Sequence, residues 1–231
     1  MELSQRLKAT INMVDSTESV ADIGTDHGYV PICLIKYDRA KQVIAMDLRE
    51  GPLSRAREHV RLYQMEDRIK LRLSNGLEKI SPHEINTLII SGMGGGLMLH
   101  ILKAYPQVTK TIDTFVLQPQ SQVRRVREEL LGEGLIISKE DMVFEDGKYY
   151  PVIKFTRGDE KSPYKEEELR FGRHLLRDNN QVLYSFLHKE EVGKRRILIS
   201  LENCQNQERE TRKTQVLHEI NIIERAKTYY E

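Results

Sequence analysis

The sequence predicts an α/β protein followed by an appended helical segment, and three observations carry that reading. From about residue 19 to residue 157, short apolar runs alternate with amphipathic stretches. A glycine-bearing loop follows the first apolar run, and strand-like alternation stops after Gly158. The alternation is that of a parallel sheet flanked by helices. Strands are expected at 20–24, 42–47, 69–73, 87–91 and 114–118, with helices near 31–37, 52–63, 97–105 and 122–133. Residues 135–144 and 149–155 then flank Glu145-Asp146-Gly147-Lys148, where Asp-Gly between two extended runs signals a closing β-hairpin. Residues 159–163 form a polar, Pro-containing linker, which sets the expected boundary between a domain at 1–158 and a helical one at 159–231. In the helical part Leu169, Leu176 and Leu183 recur every seven residues, and Ile197, Leu201 and Cys204 continue a stripe in a second segment. Two long helices forming a coiled-coil hairpin would use that pattern.

Composition narrows the functional classes. Of 231 residues, 39% are hydrophobic and 31% charged, as suits a globular chain of one or two domains. Thirty-six Lys plus Arg against thirty-five Asp plus Glu leave a net charge of +1, so any nucleic-acid contact must come from a local patch. Apolar stretches such as 88–90 and 197–199 are far short of a membrane span and no apolar signal segment follows Met1, which makes a cytoplasmic location the expectation and a membrane partner unexpected. Cys33 and Cys204 have no CxxC spacing or His partner, so neither a disulfide framework nor a metal site is expected.

The loops at the strand ends carry the chemistry. Asp22-Ile23-Gly24-Thr25-Asp26-His27-Gly28 follows the first strand and opens a helix, where a tight turn lets a ligand approach the backbone closely. A dinucleotide fingerprint would need glycine at Asp26 and Tyr29, and a pyrophosphate there would meet a carboxylate. The Gly24 to Gly28 spacing instead matches the shorter loop of S-adenosylmethionine enzymes, whose cationic ligand suits an acidic turn. Asp47 ends the second strand, where it can accept both ribose hydroxyls or cap the following helix. Ser74-Asn75-Gly76 ends the third strand and offers either an adenine-reading edge or an ordinary turn. Ser91-Gly92-Met93-Gly94-Gly95-Gly96 ends the fourth and permits close approach of cofactor or substrate. Leu117-Gln118-Pro119-Gln120 ends the fifth with two amides that can read a base or cap a helix. All five segments fall at the sheet edge where open α/β sheets bind ligands.

With these residues assembled, the chain resembles the bacterial tRNA (adenine(22)-N1)-methyltransferases. The resemblance rests on Val20 to Tyr29, on Ile90-Ser91-Gly92-Met93-Gly94-Gly95, on Leu117-Gln118-Pro119-Gln120 and on Glu145-Asp146-Gly147-Lys148-Tyr149-Tyr150. Leu3-Ser4-Gln5-Arg6-Leu7 looks like the family's lead-in. The resemblance implies a class I methyltransferase, Rossmann-like α/β sheet with a C-terminal antiparallel β-hairpin and a helical coiled-coil domain. It also implies S-adenosyl-L-methionine as cofactor and tRNA as partner. Cofactor contacts are then expected from Gly24, Thr25, Asp26, Gly28, Asp47, Asn75, Gly76, Ser91, Gly92 and Met93. Asp26, His27 and Tyr29 become the candidate catalytic residues.

Methylation at adenine N1 uses a lone pair that is already available, so positioning should dominate over deprotonation. The base must leave the tRNA stack, which calls for a planar platform, and Tyr29 is the candidate. Asp26 can stabilise the charge that develops on the ring, and His27 can orient the base. The same residues also read as helix-start packing, an N-cap and a loop histidine. Substrate contact is expected from Gly94, Gln118 and Gln120, and from two basic clusters, Arg124, Arg125 and Arg127, and Lys194, Arg195 and Arg196. Either cluster reads equally well as a solvated helix face balanced by neighbouring glutamates. A small-molecule methyltransferase with a helical lid and a non-catalytic nucleotide-binding module with a coiled-coil arm are the competing functions.

Overall fold

A computed structural model describes residues 3–202 and 208–231. The chain opens with α1 (Gln5–Asn12), β1 (Thr17–Ile23), α2 (Tyr29–Lys36), β2 (Ala40–Asp47), α3 (Glu50–Leu62) and β3 (Ile69–Leu73). It continues through β4 (Thr87–Met93), α4 (Gly95–Ala104), α5 (Pro106–Thr109), β5 (Thr114–Pro119), α6 (Val123–Gly132), β6 (Leu135–Glu145) and β7 (Lys148–Arg157). The seven strands form one sheet in the order β3-β2-β1-β4-β5-β7-β6. The first five strands are parallel, with Val20 opposite both Val43 and Thr87, and β7 joins β5 antiparallel. Strand order reverses between β1 and β4, the position at which an open α/β sheet leaves a crevice beyond its carboxyl ends.

The apolar runs form strands because both faces of the sheet are covered. Val20, Ala21, Ala45, Met46, Leu88, Ile89, Ile90, Phe115, Val116 and Leu117 are all fully buried. Between β6 and β7 the chain turns on Asp146 and Gly147, with φ of 48° and 76°, the paired positive values of a primed two-residue turn. Helix α1 has no counterpart in the sequence reading. Its N-cap is Ser4, whose hydroxyl accepts the Leu7 N–H at 3.3 Å, and it buries Ala9, Thr10 and Ile11.

The chain divides into two compact units, Met1–Lys139 with Val143–Lys161, and Glu140–Met142 with Ser162–Glu231. The second unit contains α7 (Glu166–Phe171), α8 (Arg173–Arg177), α9 (Gln181–Glu202) and α10 (Glu208–Lys227), followed by a short 3₁₀ turn at Thr228–Tyr230. The heptad leucines therefore do not share one helix. Leu169, Leu176 and Leu183 sit on α7, α8 and α9, because Gly172 (φ 107°) and Asn179 (φ 50°) interrupt the helical path. Helices α9 and α10 run antiparallel, bridged by Lys194–Glu219 at 2.5 Å, Arg195–Glu224 at 2.7 Å and Lys227–Glu191 at 2.8 Å. On α10, Val216, Ile220, Ile222, Ile223 and Ala226 are buried. On α9, Ile197 and Ile199 face solvent, and Cys204 lies outside the described residues. Among the described residues, no helix is long and apolar enough to cross a membrane.

Candidate active site

A cavity of about 500 Å³ opens beyond the carboxyl ends of β1 and β4. Its walls bring together residues from the glycine loops, Asp22, Gly24, Asp26, His27, Tyr29, Ser91 and Gly92, with Leu3, Ser4, Arg6 and Leu7 from the start of the chain. The floor depends on close approach of the two strand ends. Gly24 has φ +78°, a conformation that favours glycine, and a Cβ there would push aside the terminal methyl group of Met93. The Gly24 and Thr25 N–H groups donate to the Met46 carbonyl at 2.8 and 2.9 Å, which fastens the loop to the end of β2.

Asp22 is the buried acid of this cavity, 3% exposed. Burial pushes its carboxyl up to about 6. The charge of Asp47 adds to the rise, and the Thr25 hydroxyl opposes it without forming a hydrogen bond of ordinary geometry. No basic side chain among the described residues pairs with Asp22. Asp26, by contrast, is exposed, with Arg55 Nη2 at 2.9 Å and His27 Nε2 at 3.5 Å from its Oδ1.

His27 holds φ 61°, uncommon for a residue with a side chain, and its surroundings show what keeps it there. Its ring lies 5.4 Å from that of Tyr29 and 5.7 Å from that of His59, and Tyr29 and His59 are 5.0 Å apart. The three planes are within 28° of parallel. His59 Nδ1 donates to the His27 carbonyl at 2.7 Å, a geometry that fixes the proton on Nδ1 because the carbonyl can only accept. His59 and Arg55 both come from α3, and nothing in the loop sequence announces them. Asp22 and Arg6, with Leu3, Ser4, Leu7 and Val30 in the same wall, are also absent from the sequence-based assignment.

The remaining predicted residues are distributed as follows. Asp47 (9% exposed) lies at the end of β2, and its Oδ1 accepts the Arg49 N–H at 2.8 Å. It does not cap α3, whose N-cap is Arg49. Gly76 (φ 56°) is buried beside exposed Asn75, and Ser74 N–H donates to the Asp47 carbonyl at 2.9 Å, joining the β2 and β3 ends. Asp47, Asn75, Gly76 and Met93 stand at these strand ends but not in the cavity wall. Gly28 and Gly94 are the N-caps of α2 and α4. Gln118 is fully buried, with Oε1 accepting the Gly92 N–H at 3.0 Å, whereas Gln120 is exposed.

Of the first basic cluster, Arg124 and Arg125 are exposed and pair with Glu128 and Glu129 at 2.7 and 2.5 Å. Arg127 is 1% exposed, so it belongs to the core and cannot contribute to a surface phosphate patch. In the second cluster Lys194 and Arg195 are paired with acids, and Arg196 is exposed.

This chain is similar to known methyltransferases over most of its length. Residues 3–153 match the methyltransferase domain family. The tRNA (adenine(22)-N(1))-methyltransferase of Bacillus subtilis is 32% identical over 172 residues, 74% of this chain and 72% of that protein. The solved structure of M. capricolum TrmK, in complex with S-adenosyl-homocysteine, superposes with a TM-score of 0.86 at 26% identity over 100% of both chains. That of the B. subtilis m1A22 tRNA methyltransferase TrmK gives 0.87 at 26% identity over 97% and 98% of the two chains.

Proposed function

Because the chain belongs to the tRNA (adenine(22)-N(1))-methyltransferase family, we propose that it methylates N1 of adenine 22 in tRNA with S-adenosyl-L-methionine as methyl donor. The observation that carries the reading is the cavity at the strand-order reversal, whose wall holds a buried carboxylate, the strand-end glycines and the stacked rings of His27 and Tyr29. The residues fit the cofactor's chemistry. Asp22 is a buried acid without a basic partner among the described residues, as an ammonium group requires, and Gly24, at φ +78°, turns the loop at the same wall. Asp47 stands at the neighbouring strand end with a carboxylate for ribose hydroxyls. When bound, the cofactor supplies an electrophilic methyl group on a sulfonium.

The protein's own task is orientation. Adenine N1 already carries its lone pair, so no base has to remove a proton before attack. Tyr29, held parallel to His27 and His59, offers the flat surface on which an extruded adenine can rest. Asp26 presents its carboxylate at the cavity rim, where it favours the positive charge that methylation places on the ring, and Arg55 fixes its direction. His27 lines the same wall and can hold the base edge.

The test is transfer of labelled methyl to a tRNA transcript with adenine at position 22, beside the same transcript with guanine there and a metabolite extract. Label is expected only in the first. Label in the metabolite extract alone would make the protein a small-molecule methyltransferase.

A further inference from the structure

We infer that His59 is a positioning residue for methyl transfer: its Nδ1–H group holds the turn from His27 to Tyr29 in the conformation that stacks the two rings at the cavity wall. The inference rests on the tRNA reading above, because such a platform matters only to a base brought into the cavity. Three loop residues have positive φ, Gly24 at 78°, His27 at 61° and Gly28 at 71°. Glycine enters that region freely, whereas a histidine stays there only where its surroundings compensate. The compensation comes from α3. The first helical bond of α2 runs from the Ile32 N–H to the Gly28 carbonyl at 3.1 Å, so the His27 carbonyl lies outside the helix. That carbonyl accepts the His59 Nδ1–H at 2.7 Å. The His59 ring also lies 5.0 Å from the Tyr29 ring and 5.7 Å from the His27 ring, so one side chain supports both.

Helix α3 reaches the loop through two small residues. A Cβ on Gly28 would stand 3.2 Å from the Ala56 Cβ, so the two backbones meet closely there. Arg55 and His59 are four residues apart and share that side of α3. Arg55 binds Asp26 at 2.9 Å while His59 binds His27, and the consecutive loop residues Asp26, His27 and Gly28 thus meet Arg55, His59 and Ala56. A histidine in the last turn of a helix can instead offset the charge of that helix's own carbonyls. Here the ring N–H goes to a carbonyl of another segment, and the ring lies flat against two others, neither of which a helix-end role needs. His59 is not part of the cavity wall, so it reaches a bound base only through His27 and Tyr29. The hydrogen bond also sets the tautomer, because it demands the proton on Nδ1, the less populated neutral form of free imidazole.

Kinetics of labelled-methyl transfer by the full chain to the transcript with adenine at position 22, beside calorimetry with S-adenosylhomocysteine, test the role. His59→Ala should lower kcat about tenfold, with KM for tRNA and S-adenosylhomocysteine affinity within about twofold of wild type. Retained binding also shows that the variant is folded. His59→Asn, whose amide N–H can stand in for Nδ1–H, should recover most of kcat. His59→Phe, which keeps a flat ring without the donor, should not. Nitrogen NMR of the wild-type chain, at a pH where the ring is neutral, should show His59 protonated on Nδ1, a readout independent of activity. Unchanged kcat in His59→Ala, a loss carried by KM or cofactor affinity instead of kcat, equal rates for the Asn and Ala variants, or a proton on Nε2 would each overturn the inference. If His59→Ala does not fold, the contrast between Asn and Phe decides in the same way. A wild type that transfers no methyl to tRNA would remove the functional reading and this inference together, whereas an active wild type with indifferent variants removes the inference alone.

Discussion

Asp22 combines the highest burial of any acid in the cavity with a carboxyl pushed up to about 6 from an unfolded value near 3.8. Between those values the folded chain holds a proton that the unfolded chain has released. Stability from this group is thus fully present below about pH 4 and is lost as pH rises through 6, a cost of about 3 kcal/mol at neutral pH. Asp22→Asn is expected to raise the melting temperature at neutral pH. The same change should weaken S-adenosylmethionine, because the amide cannot balance an ammonium. Wild-type affinity should climb as pH increases through 6 while the Asn variant's stays flat, and calorimetry across that range checks both. At Asp47, loss of the carboxylate in Asp47→Ala should reduce affinity about tenfold or more; unchanged binding would remove it from the site. The contiguous part of this site was legible in the sequence, since Gly24 to Tyr29 is a single loop. Arg6, Arg55 and His59 were not, because only the fold brings α1 and α3 to that loop. Arg127 misled for a related reason: three arginines in four positions look like a patch, yet Val126 and Leu130 draw that side of α6 into the core.

Strands β1, β2, β4 and β5 were readable because their central residues are buried on both faces of a parallel sheet, which writes a short apolar run into each, whereas the edge strand β3, Ile69-Lys70-Leu71-Arg72-Leu73, shows as an alternation. The eight residues of α1 carry no such signal, and only the Ser4 cap marks the helix start. In the tail, the seven-residue spacing of leucines was real but the continuous helix it suggested was not. Gly172 and Asn179 redirect the chain, and the leucines pack from three separate helices. The join between β1 and β4 yields its own prediction. Gly24→Ala must hold a positive φ with a side chain and must also displace the Met93 methyl. It should cost about 1 to 3 kcal/mol in chemical denaturation and weaken the cofactor. Adding Met93→Ala should recover the steric share of that loss and leave the backbone share. Full recovery would mean that φ is not strained there.

Charge is nearly balanced over the chain, and residues 159–231 contain fourteen basic and fourteen acidic side chains, so tRNA cannot be gathered by a bulk field. Most bases in the two clusters are also tied to neighbouring acids, and binding RNA there means exchanging those partners for phosphates. Neutralising Arg124 and Arg125 should lower the salt slope of tRNA binding without changing cofactor affinity. If only changes at Lys194, Arg195 and Arg196 lower it, the helical unit is the electrostatic contact. A shortened chain separates the roles more sharply. None of the glycine loops or strand-end acids comes from residues 159–231, so a chain ending at Gly158 should fold and bind S-adenosylmethionine. It should melt lower than the full chain, because Glu140, 7% exposed, loses the His174 N–H that donates to it at 3.0 Å. It should methylate tRNA poorly, since a folded tRNA is much larger than a 500 Å³ cavity and needs a second surface. If the helical unit serves self-association instead, light scattering will show the number of chains per particle fall on truncation while tRNA turnover persists. Turnover that survives truncation with the number of chains per particle unchanged excludes both roles, and lost cofactor binding would show that the catalytic unit does not end at residue 158.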